Sequence, residues 1–300
     1  MPFLALVLAY VIFKIIEPAR FGSPSGLFLL LQQAMIQSLL ACGLYFILTM
    51  GVFDLTVGAV AMISAILGTM AGNAIGWAGM IPVSIVTALA MSMISSQLMI
   101  RLKAPPMIIS VGLVLIYEAL STKLIQGKYS LPIDDEFRIL GQAPWVLIPG
   151  IVLILVSMVL ISRSKFGLYI HAIGSNTEIA KNTGINVTKY QTLAWLFCGL
   201  CAAIYGIVNT CYTSSVAYAQ NMASATSVFK PMMACMFATA FRKYLNPMIS
   251  VLIGCFFLNL VSNGLLCMGL ESSLQNVVVG LAMIVIVRFS NKSRKYDVSK

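Results

Sequence analysis

LLQQAMIQSLLACGLYFILTMGVFDLTVGAVA, Leu30 to Ala61, is an apolar run interrupted once, around Gly51 and Asp54. A helix needs about 20 apolar residues to cross a hydrocarbon layer about 30 Å thick. The two sides of the interruption therefore read as two membrane spans. Neither side alternates polar and apolar residues, so barrel strands are excluded, and lipid leaves no water for unpaired backbone groups. Outward from this stretch the same logic gives about ten helices, near 2–16, 27–49, 54–72, 79–100, 106–122, 146–162, 191–211, 228–241, 247–266 and 273–288. The expected fold is all-α, a polytopic transmembrane helical bundle forming one domain over residues 1–300.

Composition agrees. Of 300 residues, 60% are hydrophobic and 9% charged, where soluble domains carry about 25% charge; a water-soluble protein is excluded. The net charge of +10 comes from 19 Lys and Arg against 9 Asp and Glu. The basic residues fall in short clusters between apolar runs: Arg101 and Lys103, Arg163 and Lys165, Arg242 and Lys243, and Arg288 to Lys300. That is the pattern that fixes membrane orientation, not a nucleic-acid face. A cytoplasmic N-terminus puts all of these clusters inside, together with Lys181 and Lys189, and makes both termini cytoplasmic. The 123–145 connection, where Asp134, Asp135 and Glu136 offset Lys123, Lys128 and Arg138, then lies outside. The first apolar run leads into further runs without a small-residue cleavage site, so it reads as a span rather than a signal peptide. The span at 228–241 is the shortest of the inner set and holds Lys230 and Pro231.

The polar stretch RSKFGLYIHAIGSNTEIAKNTGINVTKY, residues 163–190, reads as a short helix between turns. Ser175, Asn176 or Thr177 caps it, Glu178 sits in its first turn, and Gly184 stops it. A short amphipathic helix on the cytoplasmic face is a docking element by shape; a solvated connection is the plainer alternative.

Within that stretch, GLYIHAIGSNTEIAKNTGINV (Gly167 to Val187) resembles the coupling loop of ribose-type permeases, the membrane subunits of ATP-binding-cassette importers of sugars and related solutes. CGLCAAIYGIVNT (Cys198 to Thr210), the Leu30 to Ala61 run and SNGLLCMGLESSLQNVVVG (Ser262 to Gly280) are also similar to that family, so the likeness covers most of the chain. Val52 stands where the family has a second Gly before the acid. A Gly-rich family loop is replaced by FATAFRKYLNP, Phe237 to Pro247, and the lead before the first span is short.

The resemblance implies a bacterial inner-membrane permease with no catalytic and no metal-binding residues. Its partners would be separate ATP-binding-cassette ATPase subunits, a second permease copy or homologue, an extracytoplasmic solute-binding protein and the lipid bilayer, with no nucleic acid. It implies no cofactor in this chain. ATP would be bound by the partners, consistent with the lack of a G-x-x-x-x-G-K-[ST] sequence. It also implies that the ATPase contact centres on Asn176, Glu178, Ala180, Gly184, Ile185 and Asn186, where Ala180 admits a close approach and Gly184 permits the turn.

Candidate residues for a translocation path are Gln33, Gln37, Asp54, Asn209 and Asn263, with Asn259 and Gln275 as further amides. For Asp54 two roles stay open: a cap on the amides of Leu55 to Val57, helped by Thr56, or a contact to a hydroxylated solute. Gln33 and Gln37 share a helix face, serving either helix-to-helix hydrogen bonds or the path. Glu118, beside Tyr117, reads either as a contact to a binding protein or as a solvated acid. Cys198 and Cys201 have C-x-x-C spacing but no second pair, and His171 is the one histidine of the sequence, so packing is the expected role for the thiols. Gly199, Ala203 and Gly206 form a small-residue stripe suited to close helix crossing. An ion-coupled transporter is the competing function; it calls for more intramembrane acids than Asp54 alone.

Overall fold

The computed structural model describes residues 2–284 apart from 19–20, 103, 126–128, 243–244, 272–273, 276, 279 and 282–283. It is overwhelmingly helical. The long elements are α1 (Pro2–Ile16), α2 (Pro24–Thr49), α3 (Thr56–Ile75), α4 (Trp77–Arg101) and α5 (Pro106–Leu124). After a connection holding the strand β1 (Ser130–Pro132), a 3-10 turn (Asp135–Phe137) and α6 (Arg138–Gly141) come α7 (Leu147–Arg163), α8 (Lys165–Ser175) and α9 (Thr177–Asn182). α10 (Val187–Thr213), β2 (Ser215–Ala217), α11 (Ala223–Ala240) and α12 (Pro247–Cys267) complete the labelled order.

Six described helices, α2, α3, α4, α5, α10 and α12, are long and apolar enough to cross a bilayer. α7 and α8 pass the same test jointly but bend by 67° at Ser164. Nine of the ten expected spans have a helix at their position. The tenth, 273–288, and the basic tail lie partly or wholly outside the described residues, as do Lys103, Lys128 and Lys243. One element departs from the all-helical expectation: β1 and β2 pair antiparallel, with Leu131 opposite Val216. Short runs bounded by turns carry too little pattern to announce such a pairing.

The chain forms two compact units. The first comprises residues 1–38 and 230–300. In it α1 packs on α12, where the ring of Phe13 lies against Gly264, and Phe237 stacks on Phe257 with centroids 5.8 Å apart. Asn259 Nδ2 donates to Gln37 Oε1 at 3.0 Å.

The second unit comprises residues 39–229. Its centre is α10 crossing α3 and α4 at the small-residue stripe: Gly199 meets Ser92 of α4, and Gly206 meets Ala61 of α3. Phe46 sits between Phe197 and Phe166 at 4.9 and 5.6 Å, which holds α8 against the end of α2. The connection expected outside is folded onto this unit. Phe137 and Ile133 join Met80, Ile207 and Cys211 in a buried cluster, Asn73 Nδ2 donates to the Pro132 carbonyl, and Arg138 pairs with Asp135 at 3.1 Å.

Candidate solute cavity and coupling segment

Two helix interruptions organise the second unit. At the first, α2 ends where Gly51 adopts φ +78°; the Gly51 N–H donates to Leu48 O and the Val52 N–H to Ile47 O. A left-handed residue closing a helix in this way is most readily glycine. Asp54 then restarts the chain. Its Oδ1 accepts from the Thr56 N–H at 2.8 Å and the Thr56 hydroxyl at 2.7 Å, while Oδ2 accepts from Trp195 Nε1 at 2.8 Å. The residue is 1% exposed. Of the amides expected to be capped, that of Thr56 is engaged. The Trp195 bond, reaching across from α10, had no counterpart in the sequence reading.

The second interruption is the 163–190 segment. Ser164 Oγ caps α8 by accepting from the Gly167 N–H. Asn176 Oδ1 caps α9, accepting from the Glu178 and Ile179 N–H groups at 3.0 Å each. Gly184, at φ +85°, ends α9 with the Gly184 N–H on Lys181 O and the Ile185 N–H on Ala180 O. Asn186 Oδ1 then accepts from the Lys189 N–H and starts α10. Among the three capping residues offered by the sequence, Asn176 takes the role. The stretch before it, expected as turn, is the helix α8, with Ile170 and Ile173 buried. Ala180 is only 3% exposed, so its small side chain serves packing inside this chain. Glu178, Lys181 and Asn182 are exposed, and Ile179 presents 61% of its surface, an apolar contact point that the sequence reading passed over.

The same unit holds a cavity of about 380 Å³ between α3, α10, β2 and the first turn of α11, at the lower end of the range of about 300–1,000 Å³ usual for small-molecule sites. Its polar wall is supplied by Tyr205, Asn209, Thr213, Ser215, Ser224 and Ser227. Tyr205, Asn209 and Thr213 are spaced four residues apart on one helix face, a polar stripe legible in the sequence although only Asn209 was singled out. Gly58 makes the opposite wall possible: a Cβ there collides with the Ser224 carbonyl oxygen.

Of the candidate path residues, Asn209 lines this cavity. Asp54 does not; its oxygens are taken by Thr56 and Trp195. Gln33, Gln37 and Asn263 belong to the other unit, where Gln37 bonds Asn259 and Asn263 Oδ1 accepts from Cys267 Sγ at 3.8 Å. Gln275 Nε2 donates to Leu270 O.

Glu118 corrects the sequence reading. It is neither solvated nor at an open surface, being 3% exposed. Oε2 accepts from the Met222 N–H at 2.8 Å, and Oε1 accepts from the Ser224 N–H at 2.8 Å and the Ser224 hydroxyl at 2.6 Å. A carboxylate of α5 thus caps α11. Met222 and Asn221 both have positive φ, 64° and 55°, a region that costs an ordinary side chain about 1–2 kcal/mol.

Apolar spans, a cavity walled by hydroxyl and amide groups and an exposed, firmly capped turn describe a multi-pass membrane permease. The chain belongs to the family of permease components of branched-chain amino acid transport systems, which it matches over residues 26–287. It is 27% identical over 309 residues to the ribose import permease protein of Bacillus subtilis, covering 97% of this chain and 92% of that one. An autoinducer 2 import system permease protein of Photorhabdus luminescens is 26% identical over 276 residues, 89% of this chain and 82% of its own length. The fructose import permease protein of Rhizobium meliloti is 27% identical, over 98% of this chain and 85% of its own. These relatives are transport permeases, not enzymes.

Proposed function

We propose that the chain is the membrane-spanning subunit of an ATP-binding-cassette importer that passes a sugar or similar small polar solute. The observation that carries this reading is the family match, together with relatives aligned over more than four-fifths of both chains and named as import permeases for ribose, fructose and autoinducer 2. The partners are ATPase subunits that bind ATP, a second permease subunit and an extracytoplasmic solute-binding protein. In this reading both termini lie in the cytoplasm. The basic clusters support that orientation, since it collects them on one side.

In this account the ATPase grips the exposed face of α9, with Glu178 and Ile179 as contacts, Asn176, Gly184, Ile185 and Asn186 holding the turn, and Ala180 seating it on α8. Nucleotide-driven motion then passes through α8 to the phenylalanine cluster around Phe46 and turns the conduit between two accesses. Asn209 is the candidate path residue with most support, because it faces a cavity of the right size. A monosaccharide needs donors and acceptors that hold it weakly; neutral hydroxyls and amides supply both without an ionic trap.

Reconstitution tests the reading. Vesicles holding this chain, its ATPase subunits and its binding protein should take up solute only with ATP, and uptake should cease without the ATPase. Uptake by the purified chain driven by an ion gradient alone contradicts it. Gly184→Pro sharpens the test, because proline cannot adopt positive φ and has no N–H for Lys181. The variant should assemble in the membrane and still let the partners hydrolyse ATP, while uptake falls by an order of magnitude or more; unchanged uptake removes the coupling role.

A further inference from the structure

Glu118 and its neighbour Tyr117 tie α5 in two directions. The Tyr117 hydroxyl donates to the Met91 carbonyl of α4 at 3.2 Å and lies 3.0 Å from Ser95 Oγ. The Glu118 carboxylate holds the Met222 and Ser224 amides and the Ser224 hydroxyl. Ser224 is also a wall of the cavity, Ser227 lies one turn further along the same wall, and Ser227 Oγ donates to Ser224 O at 2.7 Å. The opposing wall touches the same turn at Gly58. The acid therefore does not line the cavity; it fixes the turn that does. Two consecutive non-glycine residues at positive φ, Asn221 and Met222, are closed locally by one backbone bond, from the Ala223 N–H to Gln220 O at 3.1 Å. Asn takes this region readily, Met does not, and the bond from the Met222 N–H to Glu118 anchors the turn to α5.

We propose that Glu118 is a positioning residue which, by gripping the left-handed Asn221–Met222 turn and the first turn of α11, sets the Ser224–Ser227 wall of the cavity and so the access of solute to it. This rests on the reading of the cavity as a solute station. An ordinary stabilising role lowers stability everywhere; a positioning role changes reactivity at the wall in particular.

The test uses the full chain in membranes with Ser227→Cys as a reporter and Thr188→Cys, in the exposed polar segment, as the reference. The parent chain, whose own described cysteines are buried or half-buried, provides the background. A soluble maleimide is the probe. With Glu118→Ala, the labelling rate at 227 relative to 188 should shift by about fivefold or more, as expected when a group held by roughly 1 kcal/mol is released. Glu118→Gln should shift it less, since the amide oxygen still accepts from Ser224 while the amide nitrogen faces the Met222 N–H as donor against donor. A ratio unchanged in both variants overturns the proposal. If Glu118→Ala does not accumulate, Glu118→Gln decides alone: a shifted ratio supports, an unchanged one refutes. D-ribose protection of position 227 in the chain with Glu118 intact tests the cavity separately. Protection without any dependence on Glu118 rejects the positioning role only, and dependence on Glu118 without protection by D-ribose rejects the solute station only.

Discussion

The interruption at 50–56 and the one at 183–187 close their helices identically and reopen them differently. Gly51 and Gly184 both take positive φ, and in each case the glycine N–H donates to the carbonyl three residues back and the next N–H to the carbonyl five residues back. After Gly184, neutral Asn186 restarts the chain from an exposed position through a single local bond. After Gly51, buried Asp54 restarts it with bonds to Thr56 and to Trp195, 141 residues away. Backbone geometry sets where a helix stops, and the surroundings set what must cap the next one. At a wet surface water satisfies whatever the amide leaves over, whereas in an apolar body each leftover donor needs an acceptor from the protein itself. Glu118 follows the interior rule, with its acid supplied by a neighbouring helix.

The largest effect should come from the interior break. Asp54→Ala strands the Thr56 N–H and the Trp195 indole N–H, at about 1–3 kcal/mol for each buried donor, and should lower the unfolding midpoint in detergent more than any other change considered. Asp54→Asn does not separate a cap from a path residue cleanly, because the amide turns a donor toward Trp195 or Thr56. Adding Trp195→Phe removes one of those donors. A double-mutant cycle by thermal unfolding should therefore show the two changes offsetting each other by about 1 kcal/mol; strict additivity breaks the assignment.

Gly58→Ala comes next. The added carbon meets the Ser224 carbonyl, and overpacking of this kind costs about 1–3 kcal/mol; the same melt should register it, with reduced uptake in assembled vesicles. The smallest change falls on the surface segment. Asn176→Ala loses two amide bonds of a short exposed helix, worth about 1 kcal/mol. It should leave the unfolding midpoint nearly fixed while increasing hydrogen exchange at Glu178 and Ile179. A large global loss there would erase the contrast between interior and surface breaks.

The same contrast explains what could be read from sequence. The apolar runs, Gly184 as a stop, an Asx-type cap before Glu178 and the stripe of Gly199 and Gly206 are local patterns, and local patterns carry their own chemistry. Trp195 on Asp54 and the α11 turn on Glu118 depend on which helices become neighbours, which spacing along one chain does not specify. Glu118 was misplaced for that reason: an acid near a span end looks solvated until the helix it caps is known. α8 falls where the sequence reading has only a turn before the short helix, and it contains Gly167 and Gly174. In the fold both are sites of close approach, Gly174 against the Thr49 carbonyl and Gly167 against the end of α7. The cavity's tyrosine, asparagine and threonine were visible as a stripe, but a stripe becomes a wall only when β2 and α11 face it.

The claim on which the rest depends is that the 163–190 segment faces the cytoplasm, where an ATPase can grip it. Ile179→Cys in cells carrying the whole transporter tests it directly with a membrane-impermeant maleimide. The account predicts no labelling in intact cells, ready labelling in inside-out vesicles stripped of the ATPase, and protection when the ATPase is restored. Labelling from outside intact cells contradicts it.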